Sequence, residues 1–221
     1  MTTRIVIGDD HPLVQAALRT ALAAMLRDLD VLEFGTLDEV LAGVSVQPET
    51  IDLVLLDLDM PGSRGFAGLF LMLAQFPTVP VAIISAQQDI ATVRKAIAYG
   101  ASGFIPKSLD LPAMAQAILR ILAGEIFAPA DLPRAGPPDE DLDLGARLAS
   151  LSAQQMRILA FIVEGKLNKQ IADELAIAEQ TVKVHVSTIL RKLGAVSRTQ
   201  AAVMAQRLLG AGRRPRQLGN D

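Results

Sequence analysis

The chain has no cysteine and no tryptophan, one tyrosine and only two histidines among its 221 residues. Without cysteine there is no disulfide, no thiol catalysis and no Cys-ligated metal. With His11 and His185 alone, no histidine metal site is expected. Long apolar runs are missing too. Although 51% of the residues are hydrophobic, the richest stretches, 66–76 and 111–122, are too short to cross a bilayer. The opening MTTRIVIGDD meets two acids after a brief apolar run and lacks the apolar middle of a secretory signal. A cytoplasmic protein with no membrane partner is the expectation.

What is present is unevenly spread. Residues 1–127 carry 8 Lys+Arg against 14 Asp+Glu, residues 128–145 carry 1 against 5, and residues 146–221 carry 12 against 5. An acidic front and a basic back imply two modules with different partners, the basic one a candidate for nucleic acid.

The front half alternates short β-branched runs with helical patterns. Strands are expected at 4–8 (RIVIG), 31–35 (VLEFG), 52–57 (DLVLLD), 79–86 (VPVAIISA) and 103–107 (GFIPK). Between the first two, Val14, Ala17, Leu18, Ala21 and Leu22 share one helix face, and Pro12 sits in the first turn, where a missing N–H costs nothing. The third run is apolar at 53–56 without alternation, as a central parallel strand covered on both faces requires. The pattern predicts a doubly wound five-stranded parallel sheet, order 2-1-3-4-5, followed by a small all-α domain. The expected limits are 1–127 for the sheet domain, 128–147 for a proline-rich linker, 148–211 for the helical domain and 212–221 for a basic tail.

In such a sheet, ligands bind beyond the carboxyl ends of the strands. Asp9 and Asp10 follow the first strand, Asp57 ends the third, Ser85 the fourth and Lys107 the fifth, so all five belong to one rim. Three clustered carboxylates repel one another, and a divalent cation is the remedy; a hard, oxygen-rich site suits Mg²⁺. The break at Pro61-Gly62 turns the chain sharply and leaves Asp57 at the sheet edge. A carboxylate beside Mg²⁺, with a lysine and a hydroxyl nearby, can accept a phosphoryl group.

This set of residues, Asp9-Asp10, DLDMPG, Ser85-Ala86 and Lys107, resembles the receiver domain of two-component response regulators over about residues 1–125. The resemblance implies Asp57 as phosphoacceptor, Asp10 and Asp57 as direct Mg²⁺ ligands, Asp9 as an indirect one and Asp59 as donor of a backbone carbonyl. It makes Ser85 the hydroxyl that captures the phosphoryl group. Phe104 stands where the family has a switch aromatic, and it also fits plain core packing. A cognate sensor histidine kinase is the implied partner.

In the back half, Ser152-x-x-Gln155 and Ser197-x-x-Gln200 read as capping boxes, and Gly165 and Gly194 as helix ends. From Val182, steps of about 100° gather Val182, Val186, Ile189, Leu190 and Leu193 on one side and Lys183, Val184, Ser187, Thr188 and Arg191 on the other. With the shorter pattern Ile171, Ala172, Leu175 upstream, this is a helix-turn-helix arrangement suited to a major groove of double-stranded DNA. The run GKLNKQIADELAIAEQTVKVHVSTILRKLGAVSR resembles the C-terminal module of LuxR-type regulators, and the whole chain resembles a NarL/FixJ-family response regulator. That resemblance implies base contacts from Lys183, Val184 and Ser187. It implies phosphate contacts from Asn168, Lys169, Thr181, His185, Arg191 and Lys192. Leu167 and Ala178 depart from the family, which has capping side chains there. Asn168 is an alternative cap one residue later.

The resulting expectation is a transcription regulator, not a conventional enzyme, that phosphorylation drives to a homodimer on DNA. The apolar helix at 111–123, with Arg120 its only charge, is expected to be covered by a second subunit or by the DNA domain. Two rivals stand beside this reading. One is a DNA-binding regulator with a vestigial, phosphorylation-independent receiver; the other is a haloacid-dehalogenase-like phosphatase, suggested by Asp57-x-Asp59 after an apolar run.

Overall fold

The computed structural model describes residues 2–63, 65–129 and 140–209. Strands β1 (Thr3–Gly8), β2 (Leu29–Phe34), β3 (Leu53–Asp57), β4 (Val81–Ser85) and β5 (Gly103–Pro106) form one parallel sheet in the order β2-β1-β3-β4-β5. Every residue of β3 and β4 is buried, because helices cover both faces and leave no polar side. Alternation along each strand divides the core. Ile5, Ile7, Leu53 and Leu55 meet α1 (Pro12–Ala23) and α5 (Leu111–Leu122) on one face. Val6, Val54, Leu56 and Phe104 meet α2 (Leu37–Val46), α3 (Ala67–Gln75) and α4 (Ile90–Ala98) on the other.

Local signals start these helices. Pro12 opens α1, a Thr36–Glu39 capping box opens α2, and the carboxylates of Asp89 and Asp110 cap α4 and α5. After α5 the chain returns along the sheet edge: Phe104 N–H donates to Phe127 O at 2.7 Å. That contact covers part of an otherwise open edge strand.

The helical part comprises α6 (Glu140–Ala149), α7 (Ala153–Val163), α8 (Asn168–Leu175), α9 (Glu179–Leu193) and α10 (Arg198–Leu209). Of the stretch read as a linker, 130–139 lies outside the described residues, and 140–147 belongs to α6. The tail at 212–221 also lies outside them.

Helices α6 and α7 pack against α3 and α4. The seat is Tyr99, whose ring lies 5.1 Å from Phe66, edge-on, and 5.1 Å from Phe70. Gly145 of α6 lies so close to that ring that a Cβ would meet Tyr99 Cε1 at 1.8 Å. Leu144 and Leu148 extend the contact, so one apolar core runs from the sheet through Tyr99 into α6. This corrects the expectation that the DNA domain covers α5. Its Met114, Ala115, Ala117, Ile118 and Ile121 are buried against the sheet and α1. The apolar excess of that helix serves its own domain, and α3 and α4 receive the helical unit instead.

Capping in the helical unit is uneven. Ser152 and Gln155 form a complete box at α7. At α8 the N-cap is Leu167, whose N–H donates to Gln170 Oε1 at 2.7 Å, but Leu167 has no oxygen to return the bond. Asn168 does not take over; its Oδ1 accepts from Arg198 Nη1 at 2.7 Å. Ala178, the N-cap of α9, likewise offers no side-chain acceptor. First-turn amides of both helices therefore lack a capping side chain. Leu167→Ser should add about 1 kcal/mol to the stability of the helical unit, read as a rise in its urea midpoint; an unchanged midpoint contradicts this.

Candidate functional site

The parallel register brings the ends of four strands to one rim: Gly8 pairs with Leu56, Asp57 with Ile84, and Ser85 with Pro106. Asp9 is wholly buried and Asp57 is 2% exposed. Between them, Lys107 Nζ lies 2.8 Å from Asp9 Oδ2 and 2.8 Å from Asp57 Oδ2. It donates a hydrogen bond to Asp57. Asp9 Oδ2 has Lys107 as its partner, through that 2.8 Å charge-assisted contact. Asp9 Oδ1 accepts from His11 N–H at 2.9 Å.

Asp10 is exposed beside this pair, and His11 Nδ1 lies 2.7 Å from Asp10 Oδ1 and 3.0 Å from Asp9 Oδ1. Ligand atoms of Asp9, Asp10, His11 and Asp57 all fall within 4.8 Å of one another. The sequence reading left His11 out of this cluster. Its adjacency to Asp9-Asp10 was the available signal.

Burial pushes the Asp57 carboxyl above its usual range, against the pull of Lys107, and the Asp9 charge adds to the rise. For Lys107, burial works to lower the ammonium's pKa. Its contacts with Asp57 and Asp9 outweigh burial and hold the pKa above its ordinary value. The proton thus stays on nitrogen, and the lysine is a fixed positive charge.

The turn after Asp57 is built as its residues dictate. Gly62 takes φ 82°, a left-handed conformation that disfavours a Cβ, and Pro61 O accepts from Leu37 N–H at 3.0 Å. The chain is thereby tied to the start of α2. Asp59 lies exposed, its Oδ2 accepting from Gln87 Nε2 at 3.2 Å. Ser85 is fully buried, and its Oγ accepts from Gln87 N–H at 3.1 Å. Phe104 is fully buried in the core shared with Val93, Ala96 and Tyr99.

The donors fit a hard divalent cation. They include oxygens of three carboxylates, Asp9, Asp10 and Asp57, whose ligand atoms lie within 4.8 Å of one another, with one ammonium, Lys107, shared between the two buried ones among the described residues.

The second candidate surface is on α9. Lys183, Val184, Ser187 and Arg191 are exposed along one side, while Val182, Ile189 and Leu193 are buried on the other. Thr181 is exposed at its start, His185 is half-buried, and Lys169 is exposed in the first turn of α8. Lys183 pairs with Glu179 at 2.9 Å on the surface, a contact worth little.

Two residues of the expected DNA-contact set have partners within the domain. Lys192 folds back over the α6–α7 turn, where its Nζ donates to Ser150 O at 2.6 Å and Gln155 Oε1 at 3.0 Å. Asn168 is held by Arg198, which also donates to Lys166 O. Arg147 of α6 was not singled out either, yet its Nη1 donates to Leu193 O at 3.0 Å at the end of α9. These contacts join residues 30–46 positions apart in the chain, and no local pattern announces them.

An acid-lined rim on a 2-1-3-4-5 sheet, joined to a helix-turn-helix unit, defines a receiver coupled to a DNA-reading domain. Residues 5–119 match the response regulator receiver domain, and residues 149–205 match the bacterial regulatory proteins of the luxR family. The chain belongs to the response regulators of the NarL/FixJ type, which are DNA-binding regulators of transcription. It is 41% identical over 209 residues to the glycerol metabolism activator of Pseudomonas putida, covering 91% of this chain and 94% of that one. It is 33% identical to the DNA-binding transcriptional activator DevR/DosR of Mycobacterium tuberculosis, over 93% of this chain and 94% of that one. Among solved structures, a LuxR family DNA-binding response regulator from Silicibacter pomeroyi is 34% identical with TM-score 0.51, covering 58% of this chain and 98% of that one. The RcsB–DNA complex, 20% identical over 93% of this chain and 98% of that one, has TM-score 0.54 and shares the fold.

Because the folded state raises the Asp57 pKa, the native chain binds that proton more tightly than the unfolded chain does. Relative to Asp57→Asn, wild-type stability is greatest below pH 3.8, the ordinary value, and falls as pH rises through the raised one. Urea unfolding at pH 7 without divalent cations should therefore find Asp57→Asn the more stable. Mg²⁺ at a hundredfold its Kd should then add about 2.7 kcal/mol to wild type and much less to Asp57→Asn. Equal responses of the two chains contradict the pocket's charge balance.

Proposed function

We propose that Asp57 accepts a phosphoryl group from the phosphohistidine of a cognate sensor kinase, and that this modification drives the chain to a DNA-bound homodimer. The observation that carries the reading is the buried Asp57 carboxylate, hydrogen-bonded to Lys107 and flanked by Asp9. In the transfer, an Asp57 oxygen attacks phosphorus, the P–N bond to the kinase imidazole breaks, and an acyl phosphate forms. The Lys107 ammonium, 2.8 Å from Asp57 Oδ2, would offset the negative charge that gathers on the transferring group. Asp57, Asp10 and Asp9 would hold Mg²⁺, with the Asp59 backbone carbonyl; a bound cation supplies further charge neutralisation there. The Ser85 hydroxyl is the group that would turn to a phosphoryl oxygen.

Phosphorylation adds roughly two negative charges beside Ser85. Phe104 is the proposed switch residue, and its core is continuous with Tyr99 and the α6 contact. That continuity supports a route by which the rim biases the helical unit. Lys183, Val184 and Ser187 would read base edges, while Asn168, Lys169, Thr181, His185, Arg191 and Lys192 would meet phosphates, Asn168 and Lys192 by exchanging their contacts within the domain. With this face exposed beside a docked receiver, control through assembly of two copies is favoured over masking of the reading helix. The receiver is taken as 1–127, the linker as 128–147, the DNA domain as 148–211 and the tail as 212–221. The chain is taken to act in the cytoplasm.

The test is phosphotransfer from a labelled histidine kinase, followed by sedimentation and footprinting on genomic DNA. Wild type should take label, double in mass and protect paired half-sites; Asp57→Asn should do none of these. Equal DNA protection by both chains supports the phosphorylation-independent reading instead. Label that persists in Asp57→Asn overturns the assignment of the acceptor.

A further inference from the structure

Asp9 can face Lys107 and a cation only if the backbone that carries it is held. Its N–H donates to Phe34 O at 3.0 Å, one rung beyond the paired residues of β1 and β2. Its carbonyl, past the end of the strand, has no ladder partner. Gln15, one turn into α1, supplies one: Nε2 donates to Asp9 O at 2.7 Å and to Phe34 O at 2.9 Å. Two carbonyl oxygens can be faced only by the NH₂ end of the amide, so the side chain's orientation is fixed by chemistry. Phe34 O then accepts from both Asp9 N–H and Gln15, using both of its lone pairs.

Asp9 is thus pinned at three atoms: its N by Phe34, its O by Gln15, and its Oδ1 by the His11 N–H at 2.9 Å. The remaining atom, Oδ2, is the one turned to Lys107. No hydrogen bond joins Gln15 to Asp57 or Lys107 in this arrangement, so any effect on the rim passes through Asp9. The helix that carries Gln15 starts at Pro12, whose ring and missing N–H fix where α1 begins. The distance from the rim to Gln15 is set by that start.

We infer that Gln15 is a positioning residue for the acidic rim: its amide clamps the ends of β1 and β2 and keeps the Asp9 carboxylate aimed for a divalent cation. This rests on the reading that the rim takes Mg²⁺ and a phosphoryl group. Removing both donors leaves the Asp9 carbonyl without its partner and lets the Asp9 peptide rotate. Outer-shell partners of metal-binding groups typically contribute ten- to a hundredfold in affinity.

The experiment uses the full chain with Gln15→Met, which keeps the volume and loses both donors, and Gln15→Leu, which loses both donors with no added charge. Circular dichroism and urea unfolding establish that each is folded. Calorimetric titration with MgCl₂ then gives Kd, and labelling by acetyl phosphate across a Mg²⁺ series gives the half-saturating concentration and the plateau rate. Both variants should raise the Mg²⁺ Kd and the half-saturating Mg²⁺ about tenfold, with the plateau rate largely recovered at saturation. Wild-type Mg²⁺ affinity in either folded variant, with any loss confined to the urea midpoint, overturns the positioning role. If wild type itself shows neither Mg²⁺ binding nor label, the reading of the rim fails first and this inference falls with it. A normal wild type with unaltered variants isolates the failure to Gln15.

Discussion

The Lys107 ammonium, held between the Asp9 and Asp57 carboxylates, is the interaction on which the rest of the receiver depends. Two buried carboxylates on neighbouring strands would otherwise repel each other in a setting where water cannot screen them. The sheet brings them together because parallel strands end in register. Lysine reaches them from β5, whose chain passes on the far side of β4. The conflict between fold and charge is balanced rather than removed. Three carboxylates, Asp9, Asp10 and Asp57, share the rim with one lysine, and a site with that excess of negative charge is prepared for another cation.

The helical unit joins this rim through packing rather than charge. Tyr99, the chain's single tyrosine, is clasped by Phe66 and Phe70 and closed by Gly145. The same helix sends Arg147 to the last carbonyl of α9, where a cation also opposes the helix dipole. Lys192 makes the reverse contact, from α9 to the α6–α7 turn. Helix α6 therefore touches the receiver core with one side and the end of the reading helix with the other. Spatial continuity of this kind gives coupling between the rim and α9 a packed path.

Much of this was legible in the sequence because it depends on period and punctuation. The five strands, the cap at Ser152 and the apolar face of α9 each follow from residues a few positions apart, and the rim follows from strand ends plus the rule for parallel sheets. The contacts that were not legible are long-range. Gln15 could be read only as a helix residue until β2 was known to end at Phe34 beside Asp9. Lys192 and Asn168 lay on plausible solvent faces, and only the tertiary positions of Ser150 and Arg198 draw them inward. The composition of α5 was misread for a related reason: an apolar helix needs a covering surface, but nothing local says which one.

The most direct test of the central interaction is a double-mutant cycle of Lys107→Met and Asp57→Asn, followed by urea unfolding at neutral pH without divalent cations. Lys107→Met alone leaves two uncompensated buried carboxylates and should cost roughly 3 kcal/mol. Adding Asp57→Asn should return more than half of that loss. Effects of the two substitutions that simply add, within about 0.5 kcal/mol, would show that the lysine does not hold the two acids together, and the account of the rim would be wrong.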